Sequence, residues 1–139
     1  MKTNLFAGVL LSVVVITCAV GAWAQSDHAV VANIPFSFSV QQEQFPGGVY
    51  EVETLQHGYV RLRSSDSRTM IVHVIPNYSR SNRTAKGKLI FARYGSEYFL
   101  KQLWIPSSDF GMDLQGSARQ EKLAKEMKGQ QVQVGCQGN

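Results

Sequence analysis

The stretch Lys86 to Pro106 reads Lys-Gly-Lys-Leu-Ile-Phe-Ala-Arg-Tyr-Gly-Ser-Glu-Tyr-Phe-Leu-Lys-Gln-Leu-Trp-Ile-Pro, the densest aromatic and aliphatic run outside the N-terminus. Its centre, Gly95-Ser96, is a two-residue loop of the Gly-X kind. Glycine at the first loop position reaches positive φ without a Cβ clash, as a type II′ hairpin turn requires. The loop then sets the pairing: Phe91 faces Leu100, Ala92 faces Phe99 and Arg93 faces Tyr98. A regular ladder places Leu89, Phe91, Tyr98, Leu100 and Trp104 on one face, with Ile90, Ala92, Phe99 and Leu103 on the other. Both faces are largely apolar, so the hairpin has to lie centrally in a sheet covered on both sides.

Working outward, the next hairpin lies upstream. Phe45-Pro46-Gly47-Gly48 is a turn that delivers Val49 to Leu55 as a strand. Gln56-His57-Gly58 is a three-residue connection with a glycine for its left-handed position. Across it Glu53 meets Arg61 and Glu51 meets Arg63 on the polar side, while Thr54 with Val60 and Val52 with Leu62 point inward. Charge pairs on one face and apolar pairs on the other agree on a single register.

Before this hairpin, Val30 to Val40 reads as a strand interrupted at Pro35, with Phe36, Phe38 and Val40 alternating with serines. After it, Ser64 to Arg68 is turn chemistry around Asp66, and Thr69 to Ile75 is a β-branched strand ending at Pro76. Asn77 to Ala85 reads as a polar loop. The segment from Ser107 to Asp113 breaks the strand pattern. Ser117-Ala118-Arg119-Gln120 is a Ser-x-x-Gln capping box opening a helix that Gly129 stops. Glu121 with Lys125 and Lys122 with Glu126 are four-apart pairs, and Leu123, Ala124 and Met127 form only a narrow apolar stripe, so the helix lies loosely on the sheet.

The expected fold is therefore mainly β: a single antiparallel β-sandwich or small barrel with one C-terminal α-helix. The expected organisation is a signal peptide over residues 1–24, a β-domain over 25–115, the helix over 116–129 and a tail over 130–139, with a short edge strand through Val132 and Val134 as the alternative for that last segment. The first boundary rests on Lys2, the apolar run Leu5 to Val20, and small residues in Ala22-Trp23-Ala24 before Gln25, which together form a secretory signal with a cleavage site. Retained, the same run would serve as a membrane anchor, the one membrane contact the sequence offers. Secretion, or release into a periplasm after cleavage near Ala24, is the expected localisation.

The chain has 139 residues, 44% hydrophobic and 17% charged, which fits one globular domain behind a targeting segment and is unlike a disordered chain. Its net charge of +4 is scattered and never forms a basic run, so no nucleic-acid partner is expected. Of the two cysteines, Cys18 leaves with the signal and Cys136 stays without an internal partner. Placed in a glycine-rich tail, Cys136 is expected to be accessible and open to an intermolecular disulfide.

The motifs Ile-Pro-Phe-Ser-Phe-Ser-Val (34–40), Phe-Pro-Gly-Gly-Val-Tyr-Glu-Val (45–52) and the central hairpin, followed by Leu-Trp-Ile-Pro and a charged helix, resemble a group of small secreted proteins of the acidobacterial type. That group has the pattern Pro-Phe-x-Phe-x-Val and then Leu-Pro-Ala-Gly-x-Tyr; Phe45 and Gly47 depart from its Leu and Ala. The resemblance implies secretion and a β-rich fold and carries no functional residue.

No catalytic, cofactor-binding or metal-binding residue is nominated. His28, His57 and His73 lack ligand spacing; His57 reads as a hairpin tip and His73 as a strand histidine beside the core. Asp109 and Asp113 offer too few oxygens for a calcium loop. Asn77-Tyr78-Ser79 and Asn82-Arg83-Thr84 match the glycosylation sequon and mark an exposed loop. The chain is therefore read as a non-enzymatic envelope or extracellular β-module with an unidentified partner. The alternatives are a small barrel carrying an apolar ligand and, more weakly, a hydrolase of unfamiliar geometry.

Overall fold

A computed structural model describes residues 29–78, 86–106, 108 and 110–138. The elements in chain order are β1 (Ala29–Ile34), β2 (Phe38–Val40), β3 (Glu43–Phe45), β4 (Gly48–Thr54), β5 (Tyr59–Ser64), β6 (Thr69–Asn77), β7 (Lys88–Tyr94), β8 (Glu97–Trp104), β9 (Gly111–Leu114), α1 (Ala118–Glu126) and β10 (Gln130–Gly138). Eight strands close an antiparallel barrel in the order β8-β7-β10-β1-β4-β5-β6-β9, sealed by pairing of β9 back onto β8. Of the two architectures expected, the barrel is the one formed. The hairpin β2–β3 branches from it, with β2 parallel to β8 at Ser39 and Phe99.

Both local hairpins have the register their turns dictate. Gly95 sits at φ +62° and β7 meets β8 with Phe91 opposite Leu100, Ala92 opposite Phe99 and Arg93 opposite Tyr98. Beyond that the ladder slips at a bulge between Ile90 and Phe91: Ile90 pairs with Gln102, and Leu89 with Leu103. An extra residue on one strand reverses the faces that follow it. Leu103 thus joins the core, and Trp104 moves to the outer side, where it pairs with Lys88; these are the reverse of the faces expected for a regular ladder. In β4–β5, Glu53 faces Arg61, Glu51 faces Arg63, Val52 faces Leu62 and Thr54 faces Val60, as expected. The connecting turn places both His57 (φ +63°) and Gly58 (φ +76°) in the left-handed region.

The barrel interior is closed by side chains from every strand of the wall. Val30, Ala32, Ile34, Tyr50, Val52, Val60, Leu62, Val72, Val74, Leu89, Phe91, Leu100, Leu103, Met112 and Leu114 form one buried cluster. Phe38 and Phe45 from the branch join it, with Phe38 packed edge-on against Tyr50 and Phe91. Tyr50 is buried and donates its hydroxyl to the Pro46 carbonyl at 2.6 Å, the partner a buried phenol needs.

Two segments depart from the expected domain plan. The presumed tail 130–139 contains β10, which lies inside the wall, paired with β7 through Gln130–Gly135 and with β1 through Cys136–Gly138. Val132, Val134 and Cys136 turn inward between Gln131, Gln133 and Gln137, the alternation of a half-buried strand. The pattern-breaking segment after Pro106 contains β9, whose Met112 and Leu114 enter the core while the strand bridges β6 and β8. The expected β-domain 25–115 is thus incomplete without β10. The helix is shorter than 116–129. Ser117 caps it by accepting from the Gln120 amide at 3.2 Å, no helical residue is buried, and Arg119 forks onto Glu97 at 2.5 and 2.6 Å.

Candidate interaction surface

The outer face of β1, β4, β5 and β6 brings exposed apolar and charged side chains together. Strand alternation builds it: Val60, Leu62, Val72 and Val74 turn inward, so Tyr59, Arg61, Arg63, Ile71, His73 and Ile75 must turn outward. Ile71 is 57% exposed and Ile75 54% exposed, high values for isoleucine in the middle of a strand. Tyr59 is opposite His73, and their rings meet edge to face at 5.2 Å. His73 was expected beside the core; it lies on the solvent side because Val72 and Val74 take the inward positions. His57 is at an exposed hairpin tip, as expected.

Beside the apolar row runs a charge ladder. Arg61 pairs with Glu53, and Arg63 with Glu51 at 2.7 Å. Where this face meets the β5–β6 turn, Val31, Val49, Glu51, Arg63, Ser64, Ser65 and Ser67 line an open groove of about 550 Å³. The turn is held by Asp66, whose carboxylate accepts from the Ser64 hydroxyl and from the Arg68 amide at 3.4 Å. These bonds, the Ser64 hydroxyl foremost, keep the Asp66 carboxyl below the usual range.

No family model, no curated protein and no solved structure matches the chain. What the face can do follows from its own chemistry. It offers alternating apolar and paired charged side chains and a groove lined by the hydroxyls of Ser64, Ser65 and Ser67, a surface suited to contact. Open grooves lie at the β4–β5 face, at the β2–β3 turn beside α1, and at Gly129 beside Tyr94.

Cys136, the one residue singled out from the sequence as a point of covalent attachment, is elsewhere and is buried. It lies in β10 opposite Ala32, and burial pushes its thiol up to about 11. An intermolecular disulfide at Cys136 would require β10 to leave the wall, so the expectation of an accessible tail thiol is corrected. Asp113 lies on β9. It accepts from Gln102 at 2.5 Å and from Asn77 at 2.7 Å, and Gln102 in turn accepts from the Trp104 ring nitrogen at 2.9 Å. This chain of bonds ties β6, β8 and β9 together, and no sequence motif announces it. The proposed signal segment with Cys18 and its cleavage site, His28, Asp109 and the second sequon lie outside the described residues, as does Ser79 of the first.

Proposed function

We propose that the chain is a secreted or periplasmic non-enzymatic β-module, an envelope-associated binding or structural protein that works through its outer surface. The observation that carries this is the row Ile71, Ile75 and Tyr59 left exposed on a wall whose interior is already occupied by side chains. Ile71, His73 and Ile75 turn outward in succession along β6 with Tyr59 beside His73, and apolar side chains exposed together mark contact sites. The signal-like N-terminus and the resemblance to small secreted proteins support an extracytoplasmic location.

The test is retention of the protein, expressed from the full chain, by a bacterial envelope fraction, with mass spectrometry reading its N-terminus. Expected are a mature end at Gln25 and retention that falls in the double variant Ile71→Ser, Ile75→Ser while the melting point holds. Equal retention of the variant rejects the surface, and an N-terminus at Met1 rejects cleavage. The alternative of an apolar-ligand carrier is supported by the barrel fold, and weighed against by the side chains that occupy the interior.

A further inference from the structure

We propose that the face of β1, β4, β5 and β6 pairs with the same face of a second copy of this chain about a two-fold axis parallel to the strands. The inference rests on reading this face as an interaction surface and names its partner.

The strand registers line up the outward residues in cross-rows. One row runs Ala29, Glu53, Arg61, Ile71; the next runs Val31, Glu51, Arg63, Thr69. Each row has the same order: an apolar residue, an acid, a base, and a residue with a methyl-bearing branch. A two-fold axis running between β4 and β5 along the strands keeps each row at its own level and reverses its order. Arg61 of one copy then lies over Glu53 of the other, Arg63 over Glu51, Ile71 over Ala29 and Thr69 over Val31. Every charge gains a second neighbour of opposite sign, and the exposed Ile71 gains an apolar cover. Such self-complementarity is what a closed isologous contact demands.

Other partner chemistries fit the rows less well. A phosphate-rich polymer or an anionic lipid surface would meet two carboxylates for every two guanidinium groups, with no net attraction.

The experiment is sedimentation velocity on protein expressed from the full chain, over a concentration series, with two charge variants. Glu51→Lys with Glu53→Lys makes the face all cationic; Arg61→Glu with Arg63→Glu makes it all anionic. Expected are a dimer for the wild type, monomers for each variant alone, and a mixed dimer when the two are combined in equal amounts. Exposed ion pairs contribute little to stability, so both variants keep a cooperative melt. Should either fail to fold, Ile71→Ser, an exposed change, is read instead. It raises the dimer dissociation constant at least about tenfold, since the symmetry removes the side chain twice. A wild type that stays monomeric throughout, a charge variant that still dimerises alone, or a mixture that stays monomeric overturns the proposal. Envelope retention is scored separately: a monomer that is retained rejects the dimer and leaves the proposed function standing, and a dimer that is not retained does the reverse.

Discussion

Cys136 shows how much one side chain's surroundings decide. The sequence around it, Val-Gly-Cys-Gln-Gly-Asn, is polar and glycine-rich, yet the thiol is only 7% exposed because β10 is held between two neighbours. Cys136→Ser should therefore lower the thermal midpoint by several degrees, since a hydroxyl in that position costs about 1–3 kcal/mol without a bonding partner. A differential melt checks it; an unchanged midpoint would place the residue back in a loose tail. The raised thiol pKa also predicts a pH effect. The folded state holds the proton more tightly than the unfolded chain, so the contribution is fully present below pH 9.0 and is lost as pH rises toward about 11. Denaturant midpoints should fall more steeply across that window for the wild type than for Cys136→Ala, while the buried Tyr50, also raised chiefly by burial, titrates alike in both.

At the scale of elements, the β7–β8 bulge has the widest consequences. By reversing the faces it brings Trp104 to the outer side, where Gly111 lets β9 come close: a Cβ there would sit 2.8 Å from the Trp104 ring. The bulge likewise turns Gln102 toward Asp113. Gln102→Leu should cost about 1–3 kcal/mol, because the Trp104 ring N–H, buried with its side chain, is left without its acceptor. Urea denaturation of the two proteins decides it, and a neutral result would mean that another group accepts from Trp104. The strand β10 sets a second expectation. A chain ending at Gly129 leaves β7 and β1 with unpaired inner edges and opens the wall, so it should lose cooperative unfolding altogether. Loss of the sigmoidal melt in circular dichroism is the reading; a retained one would make β10 dispensable. By contrast α1, with no buried residue, adds little to the wall.

At the scale of the whole molecule, the barrel is closed and its inward side chains meet one another, which bears on what it can carry. Phe38 and Phe45 from the branch and Tyr50, Phe91 and Leu103 from the wall occupy the space that an apolar ligand would need. A fluorescent fatty acid titrated into the protein should give no saturable, stoichiometric emission change. A defined one-to-one endpoint would favour the carrier over the contact module. The exposed Ile71 and Ile75 instead direct attention to the outside of the wall, where a neutralised charge ladder and an apolar row share four strands.

The sequence by itself determined the two hairpins, Gly48–Ser64 and Lys88–Trp104, down to the Glu–Arg pairs and the Phe91–Leu100 contact, because turn residues and alternation act over a few positions and need no distant partner. It also determined the Ser117 cap and the loose helix. The bulge, β9, the interior place of β10, the burial of Cys136 and the outward turn of His73 were decided by the tertiary structure alone. Short strands such as Gly111–Leu114 carry too little pattern to stand out, and β10 reads as a tail or a short edge strand until β7 and β1, distant in the chain, pair with it on both sides. The candidate face has the same origin. Each pair in it is a local matter, but the order acid, base, apolar across four strands exists only once the wall has brought β1 beside β4 and β6 beside β5.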